Sequence, residues 1–393
     1  MKKNKRPQIL AYYFPNWHVD PRNEKWHGDG WTEWNVTKCA TPRFPGHKQP
    51  KVPLWGYEDE ADPAVMEKKI ETAVAYGIDG FMFDWYYYAD GPYRNRCLEE
   101  GLLRASNLSK IKFAVMWCNH NAMLAHPASL ALSQNLPVIC SGTVNPATFR
   151  EATQYCIDHY FSNPSYLRVD GKLVFSIYSL REMVANLGGE TSTRMLFDDF
   201  RNRVRQAGLG ELHLNAVNVG YRYEKKDLIT ADGSGFDIQN AEQVNALTSA
   251  VGLDSRSGHI FSWFQPDFPG LDYEIAAEQN IDYFRQLSLE FNLPYNPSVM
   301  VGSDPSPRTV QSDNYTRSGY PFLPILTNAT PEQFEKILRK TRDFIESGAF
   351  TGNFLMLHSW NEWTEGAYLE PDAENGYGYL EAIRRVFGQS KPS

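Results

Sequence analysis

Apolar and polar positions along the chain switch repeatedly between two periods. Short runs rich in β-branched and aromatic residues, at 8–17, 78–87, 111–120, 172–179, 212–220, 236–240, 298–304 and 353–363, read as buried strands. Between them, segments 63–76, 94–106, 146–161, 193–206, 272–291, 331–346 and 376–387 carry the 3.6-residue period of helices. Three of these open with Pro63, Pro146 and Pro331 in the first turn, where the missing N–H leaves no hydrogen bond unmade. The crossover after 212–220 is the weakest, with only 225–229 to supply it. Eight strand–helix alternations predict an α/β protein with a parallel sheet closed into a single (β/α)8 barrel. One catalytic domain is expected over 1–393, its core at about 8–388, with a doubly wound open sheet as runner-up. Connections from helix to strand are short (77, 208–211, 347–352), whereas those after strands are long (18–62, 121–145, 241–271, 305–330). The long loops therefore gather on the C-terminal face, where barrel enzymes hold their sites.

Composition narrows the class. Hydrophobic residues at 42% and charged residues at 22% are ordinary for a globular chain. Lys plus Arg number 39 against 47 Asp plus Glu, a formal charge of −8 that argues against a nucleic-acid or anionic-membrane partner. No stretch approaches the roughly 18 apolar residues that span a bilayer, so no membrane insertion is expected. The protein is expected to be soluble, cytoplasmic as the sequence stands and periplasmic had an export signal been removed; oligomeric state stays open. Cys39, Cys97, Cys118, Cys140 and Cys156 are scattered, with no spacing of a disulfide framework or zinc site. Aromatics, at 14% with 10 Trp, 22 Tyr and 22 Phe, exceed what a core requires.

The chemistry concentrates at strand ends. At the last strand, Glu362 and Glu365 stand three residues apart, fenced by Trp360 and Trp363. Desolvation and mutual repulsion would split their pKa values, which general acid–base work requires. Asp84 ends an apolar strand and is followed by Trp85. Tyr12, Tyr13, Trp31, Trp34, Asn119, His120, Tyr178 and Asn361 complete a set suited to a sugar, whose C–H face packs on rings while its hydroxyls take polar partners. For any single ring, core packing is the stronger expectation. No metal site or cofactor is expected, since His18, His27, His47, His120 and His358 form no H-E-x-x-H or i, i+4 pair and no nucleotide-binding glycine motif occurs.

The opening Ala11-Tyr12-Tyr13-Phe14-Pro15, the Gly30-Trp31-Thr32-Glu33-Trp34 block, Gly80-Phe81-Met82-Phe83-Asp84-Trp85-Tyr86 and the Trp360–Asp372 stretch resemble the WbsX-like, glycoside hydrolase family 99-like proteins, over residues of about 8 to 380. The resemblance implies a metal-free (β/α)8 barrel acting with retention on α-mannan-type substrates. It further implies Glu362 as the base that deprotonates the sugar's 2-hydroxyl and Glu365 as acid/base at the leaving oxygen, through a 1,2-anhydro sugar. The expected function is a bacterial-type retaining glycoside hydrolase cleaving an α-linked, mannose- or rhamnose-configured oligo- or polysaccharide. Two rivals are a glycosyltransferase of surface-polysaccharide synthesis and a non-catalytic glycan-binding barrel.

Overall fold

The computed structural model describes residues 6–124, 136–219, 228–229, 241–261, 263–264 and 268–388. Within these, the apolar runs become parallel staves: β1 Gln8–Tyr13, β2 Gly80–Tyr88, β3 Lys112–Trp117, β4 Lys172–Ser179, β5 Leu212–Asn218, β6 Ser255–Ser257, β7 Tyr295–Asn296 with Ser298–Met300, and β8 Phe354–His358. Pro297 splits β7, whose first half pairs with β6 and whose second half pairs with β8, while β8 pairs with β1. The sheet thereby closes on itself as a (β/α)8-type barrel. Its register brings Tyr13 level with Phe83, Asp84 with Met116, Ser179 with Asn218 and Met300 with His358, so the C-terminal ends form one rim.

Helices α1 Pro63–Ala75, α2 Pro146–His159, α3 Glu190–Gln206, α4 Ala241–Val251, α5 Tyr273–Glu290, α6 Pro331–Glu346 and α7 Gly378–Phe387 surround the staves. The three proline-led helices are capped by Asp62, Asn145 and Thr330, whose side chains accept from N–H groups of the first turn that have no partner within the helix. Helix α6 buries Phe334, Ile337, Leu338, Thr341, Phe344 and Ile345, the i, i+3, i+4 stripe expected of a face packed on a sheet.

Three expectations are corrected. The helix at 94–106 is broken: a π-type turn, Cys97–Gly101, runs into a 3-10 turn, Leu102–Arg104. Gly101 lies against the loop before α1, where an added Cβ would stand 2.1 Å from the Glu60 carbonyl oxygen, so tight packing overrides the helical pattern. The long loop expected at 241–271 instead contains α4 and β6. The strand expected at 236–240, and residues 225–227 of the weak crossover, lie outside the described residues, and the sixth stave is β6. Its sequence Ser-Arg-Ser has no apolar signal. Ser255 and Ser257 instead donate to Asn215 Oδ1 at 2.9 and 3.1 Å, and Asn215 donates to Ser176 Oγ at 2.9 Å, a buried layer satisfied by hydrogen bonds.

Candidate active site

The end of β8 leads into a small hairpin, Asn361–Glu362 against Ala367–Tyr368, whose connection Trp363–Glu365 is one 3-10 turn. Ser359 Oγ accepts from the Glu362 N–H at 2.9 Å and donates to the Ala367 carbonyl at 2.6 Å, locking the turn. Gly366 closes it with φ 62°, and a Cβ there would lie 2.6 Å from Asp304 Cβ, so glycine serves both conformation and clearance. Asp304 also binds the turn, its N–H donating to the Glu365 carbonyl. Its carboxylate accepts from His47 at 2.8 Å, Gln49 at 2.7 Å and the Ser306 N–H at 3.1 Å. Burial opposes its charge, but these donors hold its pKa below the usual carboxylate value. Because i and i+3 share a side of such a turn, Glu362 and Glu365 face the same cavity.

That cavity holds about 400 Å³ at the C-terminal rim of the barrel. On one wall Arg308, a buried residue of the 3-10 turn Ser306–Thr309, is chelated on every nitrogen. Its Nε donates to Thr364 Oγ1 at 3.1 Å, Nη1 meets Tyr320 and Glu365, and Nη2 reaches Glu362 at 2.8 Å and Glu33 at 3.5 Å. Thr364 and Asn16 in turn donate to Glu33 at 3.0 and 2.7 Å. The two hairpin glutamates differ in access: Glu362 has 9% of its side chain exposed and Glu365 28%. Burial, then the Glu365 charge, pushes the Glu362 pKa well above the usual carboxylate value despite Arg308.

Asp84 and Arg94 also line the cavity. Burial and the Glu365 charge raise the Asp84 pKa well above its ordinary value, and its Oδ1 is buried without a hydrogen-bond partner. The third wall carries imidazoles. His259 packs 4.5 Å from His358 and 5.3 Å from Tyr178 between ring centroids, and His120 lies 5.4 Å from Tyr178. Burial lowers the His358 pKa to about 4 and that of His259 well below its ordinary value, so both rings are neutral and can donate to or accept from hydroxyls. Among the described residues no group of three or more His, Cys, Asp or Glu side chains is placed to hold a metal ion, and no helix is long and apolar enough to cross a membrane.

The expected site residues divide sharply. Glu362, Glu365, Asp84, His120 and Tyr178 line the cavity, and Tyr12 abuts its imidazole wall, with its hydroxyl on the Gly258 carbonyl at 2.6 Å. The others do not line it. Tyr13 points outward onto Met66 of α1, and Trp85 points outward onto Tyr160. This follows from the two-residue strand period, which sends Asp84 and Tyr86 in and their neighbours out. Trp31 stacks on His27 and Trp363 on Tyr368 at 3.7 Å, while Trp34 packs tilted against Trp17. Trp360 is buried against Phe81, so the tryptophans are the floor under the hairpin rather than a fence around it. Asn361 pins both the N–H and C=O of Phe14, and Asn119 ties the Ser179 backbone, tasks internal to the scaffold.

Sequence reasoning missed Arg308, Arg94, Tyr320, Tyr86 and His259. Only the loop placement of 305–330 on the C-terminal face hinted at the first. No local pattern marks Arg94, which lies in the segment read as a helix.

The family model described as Glycosyltransferase WbsX matches residues 9–383. Uncharacterized protein WxcX from two strains of Xanthomonas campestris pv. campestris is 28% identical, over 406 and 401 residues. Those alignments cover 96% of this chain but 49% of each relative, so the chain spans about half the length of the curated relatives it matches. Among solved structures, the GH99 endo-alpha-mannosidase from Bacteroides thetaiotaomicron superposes with a TM-score of 0.56 at 16% identity, over 97% of this chain and 96% of that one. A glycoside hydrolase-like protein gives 0.58 at 18% identity, over 99% and 96%. These likenesses establish the shared fold.

Proposed function

The chain belongs to the WbsX family, and from that premise we propose that it is a retaining glycoside hydrolase acting on an α-linked, mannose- or rhamnose-configured glycan. The observation that carries this reading is the placement of Glu362 and Glu365 on one guanidinium at the mouth of a barrel cavity, facing Asp84. A cavity of about 400 Å³ suits one or two sugar rings, and its neutral imidazoles, tyrosines and buried carboxyls are hydroxyl partners.

In the proposed reaction, Glu362 removes the proton of the sugar's 2-hydroxyl as O2 attacks C1. The glycosidic bond breaks with its electron pair leaving on oxygen, which takes a proton from Glu365. Water, deprotonated by Glu365, then opens the 1,2-anhydro ring at C1, and Glu362 returns its proton to O2. Two inversions at C1 give net retention, with substrate assistance replacing a protein nucleophile. Adjacent carboxylates on one turn support this route, because they are poorly placed to flank C1 from opposite faces.

The raised Glu362 pKa favours a second reading in which the roles are exchanged, since the group that keeps its proton is the natural acid. Digestion of a glycan library with product analysis tests the hydrolase reading, and glycosyl transfer from a nucleotide or lipid-phosphate donor without hydrolysis would overturn it. Aryl glycosides separate the two roles. Replacing the acid should cost roughly 10²–10⁴ on natural linkages and much less with an activated aryl leaving group. Glu365→Gln showing that rescue supports the first assignment; Glu362→Gln showing it supports the exchange.

A further inference from the structure

The cavity's second arginine is the feature that the hydrolase reading leaves unused. Arg94 lines the cavity beside Asp84 and Tyr86, with its guanidinium carbon 5.1 Å from the Phe14 ring centroid, 4.8 Å from Tyr86 and 4.6 Å from Tyr93. Tyr93 is fixed by donating to Asn23 Oδ1 at 2.5 Å, so the cage is rigid on that side. Rings stacked on the faces of a guanidinium leave its edge, the planar N–H fork, available for an oxygen ligand. Among the described residues no carboxylate lies within ion-pair distance of Arg94, and its Nε is buried without a hydrogen-bond partner.

The backbone points the same way. Arg94 adopts φ 58°, a left-handed conformation that is uncommon for a residue other than glycine, asparagine or aspartate. Its N–H donates to Asp20 Oδ2 at 3.2 Å, and His18 Nε2 lies 3.4 Å from its carbonyl oxygen. Two neighbours therefore hold a strained turn that delivers the side chain to the cavity. Burial raises the Asp84 pKa well above its ordinary value, and Glu33, whose charge favours the Arg94 cation, already lies 3.5 Å from Arg308 and accepts from Thr364 and Asn16, so the Arg94 guanidinium has no carboxylate of its own at ion-pair distance among the described residues. A partly desolvated guanidinium gains from an oxygen partner held at hydrogen-bond distance.

We infer that Arg94 receives an anionic substituent of the glycan, a carboxylate or a sulfate, so that the substrate is an acidic oligo- or polysaccharide. This rests on the cavity being the glycan site, not on hydrolysis taking place there. Planar carboxylates match the guanidinium fork with two parallel hydrogen bonds, and sulfate oxygens satisfy it as a tripod. The neutral histidines and tyrosines opposite then read the uncharged hydroxyls.

The test is binding, by calorimetry and glycan array, with full-length wild-type and Glu365→Gln protein. The probes are matched pairs: uronate-containing bacterial oligosaccharides and their carboxyl-reduced forms, and sulfated α-mannan oligosaccharides and their desulfated forms. Wild type should bind one acidic series at least about tenfold more tightly than its neutral counterpart, the scale of one charge-assisted pair. The series that shows the difference identifies the anion. Arg94→Met should abolish the difference, while Arg94→Lys, which keeps the charge and loses the fork, should retain part of it. Equal binding of both members of each pair, hits confined to neutral glycans, or an acidic preference that survives in Arg94→Met would each overturn the inference. So would Arg94-dependent binding of UDP-glucose with no acidic glycan hit, which would assign the arginine to a phosphate donor. The wild-type comparison needs no variant, so misfolding of Arg94→Met leaves it intact. Acid-selective binding without cleavage would sustain this inference while the hydrolase reading failed.

Discussion

Arg308 and Arg94 line one cavity, and they differ in what their guanidinium nitrogens meet. Arg308 spends all three nitrogens on protein acceptors: Thr364, Tyr320 and the carboxylates of Glu33, Glu362 and Glu365. The Arg94 guanidinium lies over three aromatic rings and forms no ion pair among the described residues, with the Glu33 charge acting on it only from a longer range. Burial alone would lower the Arg308 pKa, yet Tyr320 and the surrounding carboxylates outweigh it and hold the charge in place. A saturated arginine is part of the frame: it aims the two hairpin carboxylates and has no donor left for a ligand. A stacked arginine keeps its edge open. The same side chain is therefore an ion-pairing hub for three carboxylates in one place and a ring-stacked group in the other.

Removing Arg308 should break that contrast most severely. Arg308→Met leaves three carboxylates facing one another without a cation, which should cost at least roughly 10³ in kcat, comparable to losing a preorganised electrostatic group. Urea denaturation should also register a loss of about 3–5 kcal/mol, typical when one partner of a buried ion pair is removed. Arg308→Lys should rescue little, because a single ammonium cannot serve five acceptors in a plane. Full activity in either variant would show that the carboxylates are positioned by the hairpin alone.

Arg94→Met should have a smaller and more selective effect. Loss of its ring contacts should lower stability by about 1–2 kcal/mol, measured in the same denaturation series. A stability loss as large as that of Arg308→Met would mean that the cage is a structural element of the barrel mouth.

Proton linkage gives a finer test. The folded-state pKa of Asp84 lies above its unfolded value, so between the two the folded protein binds more protons and loses stability as pH rises. Asp84→Asn lacks that loss. Its melting temperature should exceed that of wild type at pH 8 by about 1–3 °C and converge with it near pH 4. A variant less stable than wild type at pH 8 would show that the Asp84 carboxylate is needed by the fold.

A buried histidine gives a linkage effect of the opposite sign. His358 titrates at about 4 when folded and near 6.5 when unfolded, so the unfolded chain binds the extra proton between those values and stability falls as pH drops from 6.5 toward 4. His358→Asn should flatten this acid limb in melting curves. An unchanged limb would place the acid sensitivity elsewhere, His259 being the next group to replace.

Periodicity was enough to read the closed barrel and most staves, because apolar runs of four or more residues announce themselves whatever surrounds them. Segments whose burial depends on distant partners were not legible. Stave β6 is three polar or charged residues made buriable by Asn215 and Asn296, 40 residues away on either side. The Glu362–Glu365 pair was legible because a turn of i, i+3 spacing is a local property. Its environment was not, since Glu33 and Arg308 arrive from loops far apart in the chain.

What the amino-acid sequence determined by itself was therefore the architecture, the face on which the long loops gather, and the carboxyl pair at the end of the last stave. Only the tertiary structure decided which aromatic rings serve the core and which side chains meet the cavity. The two-residue strand period says that Asp84 and Trp85 point to opposite sides, but not which side is the inside. That is set when the helices cover one face and close the barrel, drawing Tyr13 and Trp85 into the outer layer and leaving the cavity to two arginines that no local pattern marks.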